Sequence, residues 1–363
     1  MTKAKIGLLI LGWYMPMIVN AQALERFQPK GAGAGEHLRT YASVLDLCAH
    51  PRGVYACTER EGCFLLPTHQ DDVAIPVVSP RSRRDRFGPI LQLAQVPHVV
   101  INGYQVQSLV QPEQGRRPLL PSQVVEHINV VAYEVLPDGR LAIASARDGV
   151  FLFTADAEGS YRGIPQRIST VNRHLPSNKV NCLYQDRDGI LWIGTEGGLA
   201  AFWQDSVYNL AQAPPLPTKL SMWQRLLGRH TKANPIYRGP VSAITQWGGS
   251  LLFTSHDALY KITRKLEPLT QVHRYANPPE YGFSTPVHDL QVSWGGKVWI
   301  ATNHLIRYDI ANESWRILST SGERHSEAIP VNCLLEDKLR AYIWVGTAGR
   351  GLQRLPLQDG LNN

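Results

Sequence analysis

The stretch VNCLYQDRDGILWIGTEGGLAAF, Val180 to Phe202, decides the fold because the chain repeats it. VNCLLEDKLRAYIWVGTAGRGLQRL runs from Val331 to Leu355, VHDLQVSWGGKVWIATNHLIRYD from Val287 to Asp309, VSAITQWGGSLLFTSHDALYKI from Val241 to Ile262 and VVAYEVLPDGRLAIASARDGVFLF from Val130 to Phe153. Each copy reads as an apolar strand, a tight turn, a second strand ending in a small residue and Thr or Ser, then a short loop and a third strand. A recurrence of roughly 40–50 residues marks solenoids, propellers or arrays. Three short strands with room for a fourth describe a propeller blade.

Two degenerate copies lie upstream, VLDLCAHPRGVYACTEREGCFLL at Val44 to Leu66 and ILQLAQVPHVVINGYQVQSLV at Ile90 to Val110. The anchors Val44, Ile90, Val130, Val180, Val241, Val287 and Val331 predict an all-β, seven-bladed β-propeller, with six blades, if the second copy is misread, or eight as the alternatives. Asp138-Gly139, Asp188-Gly189, Gly248-Gly249 and Gly295-Gly296 supply the positive φ angles of two-residue hairpins. Trp192, Trp299, Trp344, Phe253 and Tyr55 are expected to fill the space between blades with large rings. The small residues near them, among them Gly194, Ala301, Gly346, Thr254, Cys57 and Ala144, are expected to let backbones approach closely.

The last copy stops after its third strand, and an open edge strand invites aggregation. The segment LERFQP, Leu24 to Pro29, precedes the first copy and is expected to add the missing outer strand, a Velcro closure of the ring by the mature N-terminus. Before it, MTKAKIGLLILGWYMPMIVNAQA has Lys3 and Lys5, an apolar run and small residues at Ala21 and Ala23. That layout is a secretory signal over residues 1–23. The propeller then fills residues 24–363, with a Pro-rich, partly helical insertion at about 211–237. There Leu220, Trp223, Leu226 and Leu227 fall at helical spacing, as in a helix packed on the ring or a partner-binding or dimer-forming element.

The chain has 363 residues, enough for a large core. Its formal charge of +7 drops to about +5 without Lys3 and Lys5, mildly basic. An exported protein with no aromatic-interleaved basic motif is a poor nucleic-acid partner. The arginine run PRSRRDRFGP, with Arg81, Arg83, Arg84 and Arg86, reads as a solvated loop, with an anion-facing surface as the alternative. Of the five cysteines, Cys182 and Cys333 hold one repeat position in non-adjacent blades and are not expected to pair. One bridge among Cys48, Cys57 and Cys63 is an option, but buried free thiols are the favoured reading. No metal spacing and no cofactor motif occurs.

In a propeller the loops between second and third strands share a face with the starts of the inner strands. On that face the sequence places Arg60, Arg147, Glu196, His256, Asn303, His304 and Arg350 in the loops, and Asn181, His288 and Asn332 at the inner-strand starts. Arginine holds a carboxylate or sulfate by paired hydrogen bonds. Asn and His suit hydroxyl-rich ligands. Asn or Asp beside a turn also commonly bonds its own backbone. His256, His288 and His304 are the one grouping among 12 histidines that a propeller lyase could use, but no nucleophile elbow, phosphate loop or metal motif supports catalysis.

The segment QDRDGILWIGTEGGL resembles the two-component regulator propeller repeat, and IWVGTAGRGL and VWIATNHL are similar to it. The resemblance implies a periplasmic or secreted, sensor-like propeller that binds a ligand, glycans or anionic oligosaccharides among them, and works with a separate membrane-bound signalling partner. A scaffold of a secretion system is the alternative, and a lyase the third reading.

Overall fold

The computed structural model describes residues 25–26, 42–69, 73–172, 174–211, 237–255, 258–262, 272–276, 287–293, 295–318 and 330–357. These form seven four-stranded antiparallel sheets. Blade 1 comprises Val44–His50, Gly53–Thr58, Cys63–Pro67 and Ile75–Val78; blade 2, Phe87–Leu93, Val96–Ile101, Gln105–Ser108 and Arg116–Pro118. Blade 3 comprises Val130–Val135, Leu141–Ser145, Gly149–Phe153 and Gln166–Ile168; blade 4, Val180–Gln185, Leu191–Thr195, Gly198–Trp203 and Ser206–Asn209. Blade 5 comprises Ala243–Trp247, Ser250–Thr254, Ala258–Ile262 and Val272–Ala276; blade 6, Asp289–Ser293, Lys297–Ala301, Leu305–Asp309 and Ser314–Leu318. Blade 7 comprises Val331–Asp337, Tyr342–Thr347 and Leu352–Pro356, with Glu25 and Arg26 paired to Arg354 and Gln353 as a fourth strand. Neighbouring inner strands pack on each other all the way round, including Val44–His50 against Val331–Asp337, so the array is a ring: a seven-bladed β-propeller. Residues 1–23, where a signal is expected, the rest of the Leu24–Pro29 segment and most of the 211–237 insertion lie outside the described residues.

Seven apolar clusters stabilise the ring, one in each gap between neighbouring blades. Trp192, Trp299, Trp344 and Tyr55 are almost wholly buried, each facing the following blade. Close approach needs the small residue two positions on. A Cβ on Gly194 would lie 2.9 Å from Val241 Cγ1 of blade 5, and one on Gly346 at 2.9 Å from Val44 Cγ1 of blade 1, and each would also collide with the inner-strand thiol, Cys182 or Cys333.

The carboxylate that ends the inner strand ties turn to core. Asp186 Oδ1 accepts from the amides of Asp188 and Ile190 (2.9 and 3.0 Å), and Oδ2 accepts from Trp192 Nε1 at 2.8 Å. Asp337 does the same for Leu339, Arg340 and Trp344, and in blade 6 Ser293 accepts from Trp299 Nε1 at 2.9 Å. The first acid of Asp-x-x-Gly therefore satisfies a buried indole N–H that would otherwise lack a partner.

Three sequence expectations need correction. Phe253 is one residue out of step with the tryptophans: it faces blade 4, stacks on Tyr260 and meets Tyr237 edge-on, while Leu252 faces blade 6. Strand alternation makes that single-residue difference a change of face. In blade 2 the anchor is Phe87, opposite Ile101, because a bulge separates Phe87 from Ile90. Finally, Cys57 and Cys63 are not free thiols. They are directly opposed on adjacent strands and form a disulfide, leaving Cys48, Cys182 and Cys333 as free cysteines.

Candidate functional site

The loop face is built from one recurrent device. The hydroxyl that ends the second strand closes the following loop on itself: Thr58 Oγ1 donates to Gly62 O (2.9 Å), Thr195 Oγ1 to Gly198 O (2.7 Å), Thr302 Oγ1 to His304 O (2.9 Å) and Thr347 Oγ1 to Gly351 O (2.7 Å). Ser145 Oγ accepts from the amides of Arg147 and Asp148 (3.2 and 3.1 Å). Short, self-bonded loops hold their tip side chains on a fixed ring, as a binding surface requires.

The expected site residues divide into two groups. Arg60, Arg147 and Glu196 are exposed loop tips, and Asn303, His304 and Arg350 are half-buried ones. Arg60 lies 3.7 Å from the Glu59 carboxylate, and Glu196 pairs with Lys179 at 3.4 Å. Burial lowers the His304 pKa, favouring a neutral imidazole. The second group joins blades together. Asn181 Nδ2 donates to Val241 O (3.1 Å), Asn332 Nδ2 to Val44 O (3.0 Å), and His288 Nδ1 lies 2.9 Å from Val331 O. These three sit at the channel mouth with one ring-side polar atom already engaged by the next blade. His256 lies outside the described residues.

One residue further along the inner strands are acids that the sequence reading passed over. Asp46 Oδ2 accepts from Ile90 N and Asp289 Oδ2 from Leu334 N, both at 2.7 Å, while Oδ1 of each accepts from the next residue's amide. Burial raises both to about 6 despite those hydrogen bonds, with a smaller contribution at Asp46 from the charge of Asp289. Glu134 is pushed up to about 7 by burial and by the charge of Asp46. Asp46 on blade 1 thus feels the charge of Asp289 on blade 6, and Glu134 on blade 3 feels that of Asp46. The sequence signal was present, an acid two residues past an anchor valine, but the same place carries Cys182 and Cys333 in blades 4 and 7.

The opposite face has clefts of its own. One of about 220 Å³ lies between blades 3 and 4, where Arg140 is held by Asp138 and Asp205 over the Phe202 ring, beside Trp203. Another of about 250 Å³ lies between blades 7 and 1, where Arg340 donates to Leu66 O and Pro67 O (2.9 and 2.7 Å). Both arginines serve to join blades. Among the described residues no three His, Cys, Asp or Glu side chains are grouped to hold a metal ion, and no helix is long and apolar enough to cross a membrane.

Residues 174–197 match the model of the two component regulator propeller family, so blade 4 carries a repeat of that family. Among solved structures the chain is similar to a protein from B. thetaiotaomicron described as the extracellular domain of the one component system BT4673 (TM-score 0.61, 12% identity, 92% of this chain and 40% of that one). It is also similar to one described as the extracellular domain of the hybrid two component system BT3049 from the same organism (TM-score 0.59, 16% identity, 87% and 39%). A third is YCF48 bound to D1 peptide (TM-score 0.57, 9% identity, 90% and 96%). At these identities the likeness is one of fold. The chain spans about 40% of the length of the two B. thetaiotaomicron proteins. No curated protein sequence matches it.

Proposed function

We propose that this propeller is an extracytoplasmic, sensor-like binding module that recognises a sugar or anionic oligosaccharide and performs no chemistry of its own. The observation that carries the reading is the two component regulator propeller repeat at residues 174–197, set in a ring whose loops are braced to present side chains rather than to move them. Arg147, Arg350 and Glu196 at the loop tips, with Asn303 and His304, give charged and hydrogen-bonding groups matched to carboxylates and hydroxyls. Export by the 1–23 leader and transfer of the signal to a membrane-bound partner complete the reading; a homodimer through the 211–237 insertion is a further element of it. The non-enzymatic assignment is supported by how the perturbed carboxyls are used. Asp46 and Asp289 each have both oxygens occupied by backbone amides.

A glycan array followed by calorimetry tests this. Arg147→Ala and Arg350→Ala should each weaken binding of an acidic oligosaccharide about tenfold, the loss of one charge-assisted contact. Absence of any glycan ligand, or binding indifferent to both substitutions, removes the reading. A protein-binding scaffold is the second reading, favoured by the fold's likeness to a propeller that holds a peptide. Capture of a peptide segment on the same loop face, with no sugar bound, would select it.

A further inference from the structure

The connection from the outer strand of blade 1 to the inner strand of blade 2 carries Arg81, Arg83, Arg84 and Arg86, all exposed. It is built around a buried ion pair. Asp85 Oδ2 accepts from Arg116 Nη2 at 2.6 Å and from Arg81 N at 2.7 Å, and Oδ1 accepts from Ser82 Oγ at 3.2 Å. The Asp85 and Arg116 side chains are only 6% and 8% exposed. Arg86 N donates to Asn102 Oδ1 (2.9 Å), and its guanidinium donates to Arg83 O and Asp85 O. The strap therefore has a fixed shape with its acid turned inward and its guanidiniums turned outward. Glu59, 3.8 Å from Arg86 and 3.7 Å from Arg60, joins Arg60 to the same surface, and the amide of Phe87 bonds Glu59 O to hold the two loops together.

We propose that residues 80–87 and Arg60 form a binding surface for a linear polyanion, an acidic polysaccharide bearing closely spaced carboxylate or sulfate groups. This deepens the ligand-binding reading by assigning it a second, charge-selective contact on the blade 1–2 rim. Four guanidiniums on six consecutive residues repel one another unless anions lie between them, and such a density calls for a partner with anions at similar spacing. The strap offers no exposed large apolar or aromatic side chain: Phe87 is 2% exposed and packs inward. Protein interfaces rely on such anchors, and peptide recognition uses pockets or a free strand edge. A surface of guanidiniums alone suits a chain recognised by its charge.

Binding of heparin and of polygalacturonate to the full chain, measured across a salt series, tests the assignment. Arg83 and Arg84 make no described side-chain contact with the rest of the protein, so Arg83→Ser/Arg84→Ser leaves the fold intact. Arg162→Ser, in the third-to-fourth-strand connection of blade 3, is the control. The wild type is expected to bind at least one of the two polysaccharides, more weakly as salt rises. The double variant should bind about tenfold more weakly at low salt with a shallower salt dependence, and the control should match the wild type. Equal binding by the double variant, an equal loss in the control, or preference of the wild type for polyglutamate or for vesicles of anionic lipid overturns the proposal. The loop-tip reading is tested separately through Arg147 and Arg350, so failure of one leaves the other standing.

Discussion

Replacing Asp186 with alanine removes three hydrogen bonds at once. Two go to the turn amides of Asp188, part-buried, and Ile190, buried; the third goes to Trp192 Nε1, whose side chain is 0% exposed. An indole N–H left without an acceptor in the blade 4–5 core costs about 1–3 kcal/mol, and loss of the two turn bonds to a charged acceptor adds roughly 1–2 kcal/mol. Asp186→Ala should therefore destabilise the ring by about 2–5 kcal/mol, measured by urea unfolding. Asp186→Ser should recover the indole bond, because Ser293 serves Trp299 in blade 6 at 2.9 Å. Trp192→Phe isolates the pair: it removes the donor, so the coupling energy in the cycle Asp186→Ala, Trp192→Phe and both together should be about 1–3 kcal/mol. A loss of less than about 0.5 kcal/mol in the alanine variant, the level of an ordinary surface change, or additive single effects would refute the assignment of the repeat acid to the tryptophan.

Asp85→Ala leaves Arg116 buried and uncompensated, and should cost about 3–5 kcal/mol, with much of it recovered in Asp85→Ala/Arg116→Met; thermal unfolding of the three proteins reads this. Gly194→Ala should cost about 1–3 kcal/mol by forcing Val241 and Cys182 apart, against no loss for Gly139→Ala in contacts, where nothing lies within 4 Å, beyond the strain of its φ of 82°. The pH dependence has two arms. Asp46 and Asp289 are raised to about 6, so their contribution is complete below the unfolded value of 3.8 and is lost as pH rises through 6; Asp46→Asn should flatten the fall in urea midpoint across that range. The Arg116 hydrogen bond holds Asp85 well below the usual carboxylate range, so its contribution is present above 3.8 and is lost as pH falls through the folded value, giving an opposite slope that Asp85→Asn should remove. Deleting residues 24–29 removes the strand paired to Leu352–Pro356 and should lower the unfolding midpoint sharply; a truncated chain as stable as the whole would dismiss an N-terminal closure of the ring.

The fold was legible because each blade must solve the same packing problem. A ring residue, a small residue two places on and a hydroxyl after that recur as Trp192-Gly194-Thr195 and Trp344-Gly346-Thr347, and each has the physical role its size implies. Legibility failed where one residue changes the face. Phe253 looked like a tryptophan substitute, but strand alternation turns it toward blade 4. The disulfide was undecidable from spacing, because Cys48, Cys57 and Cys63 all fit the first copy, and only the register opposes Cys57 to Cys63. Of the candidate site, positions in the repeat were legible and side-chain contacts were not. Loop tips follow from the repeat, whereas Asn181, His288 and Asn332 read as ligand groups although each reaches a carbonyl of the neighbouring blade. A polar side chain at a channel mouth looks the same in sequence whether its partner is a ligand or the next sheet. The Asp85 strap shows the reverse case, an arginine run that reads as solvated until its inward acid and distant partner Arg116 are seen together.

The contact between the last and first blades repeats a contact found in mid-chain. Cys333, Gly346, Asn332 and Val44 meet there as Cys182, Gly194, Asn181 and Val241 do between blades 4 and 5. At these two joints the inner circle does not distinguish closure of the ring from its continuation. A circularly permuted gene opened between blades 2 and 3 would retain both of these joints.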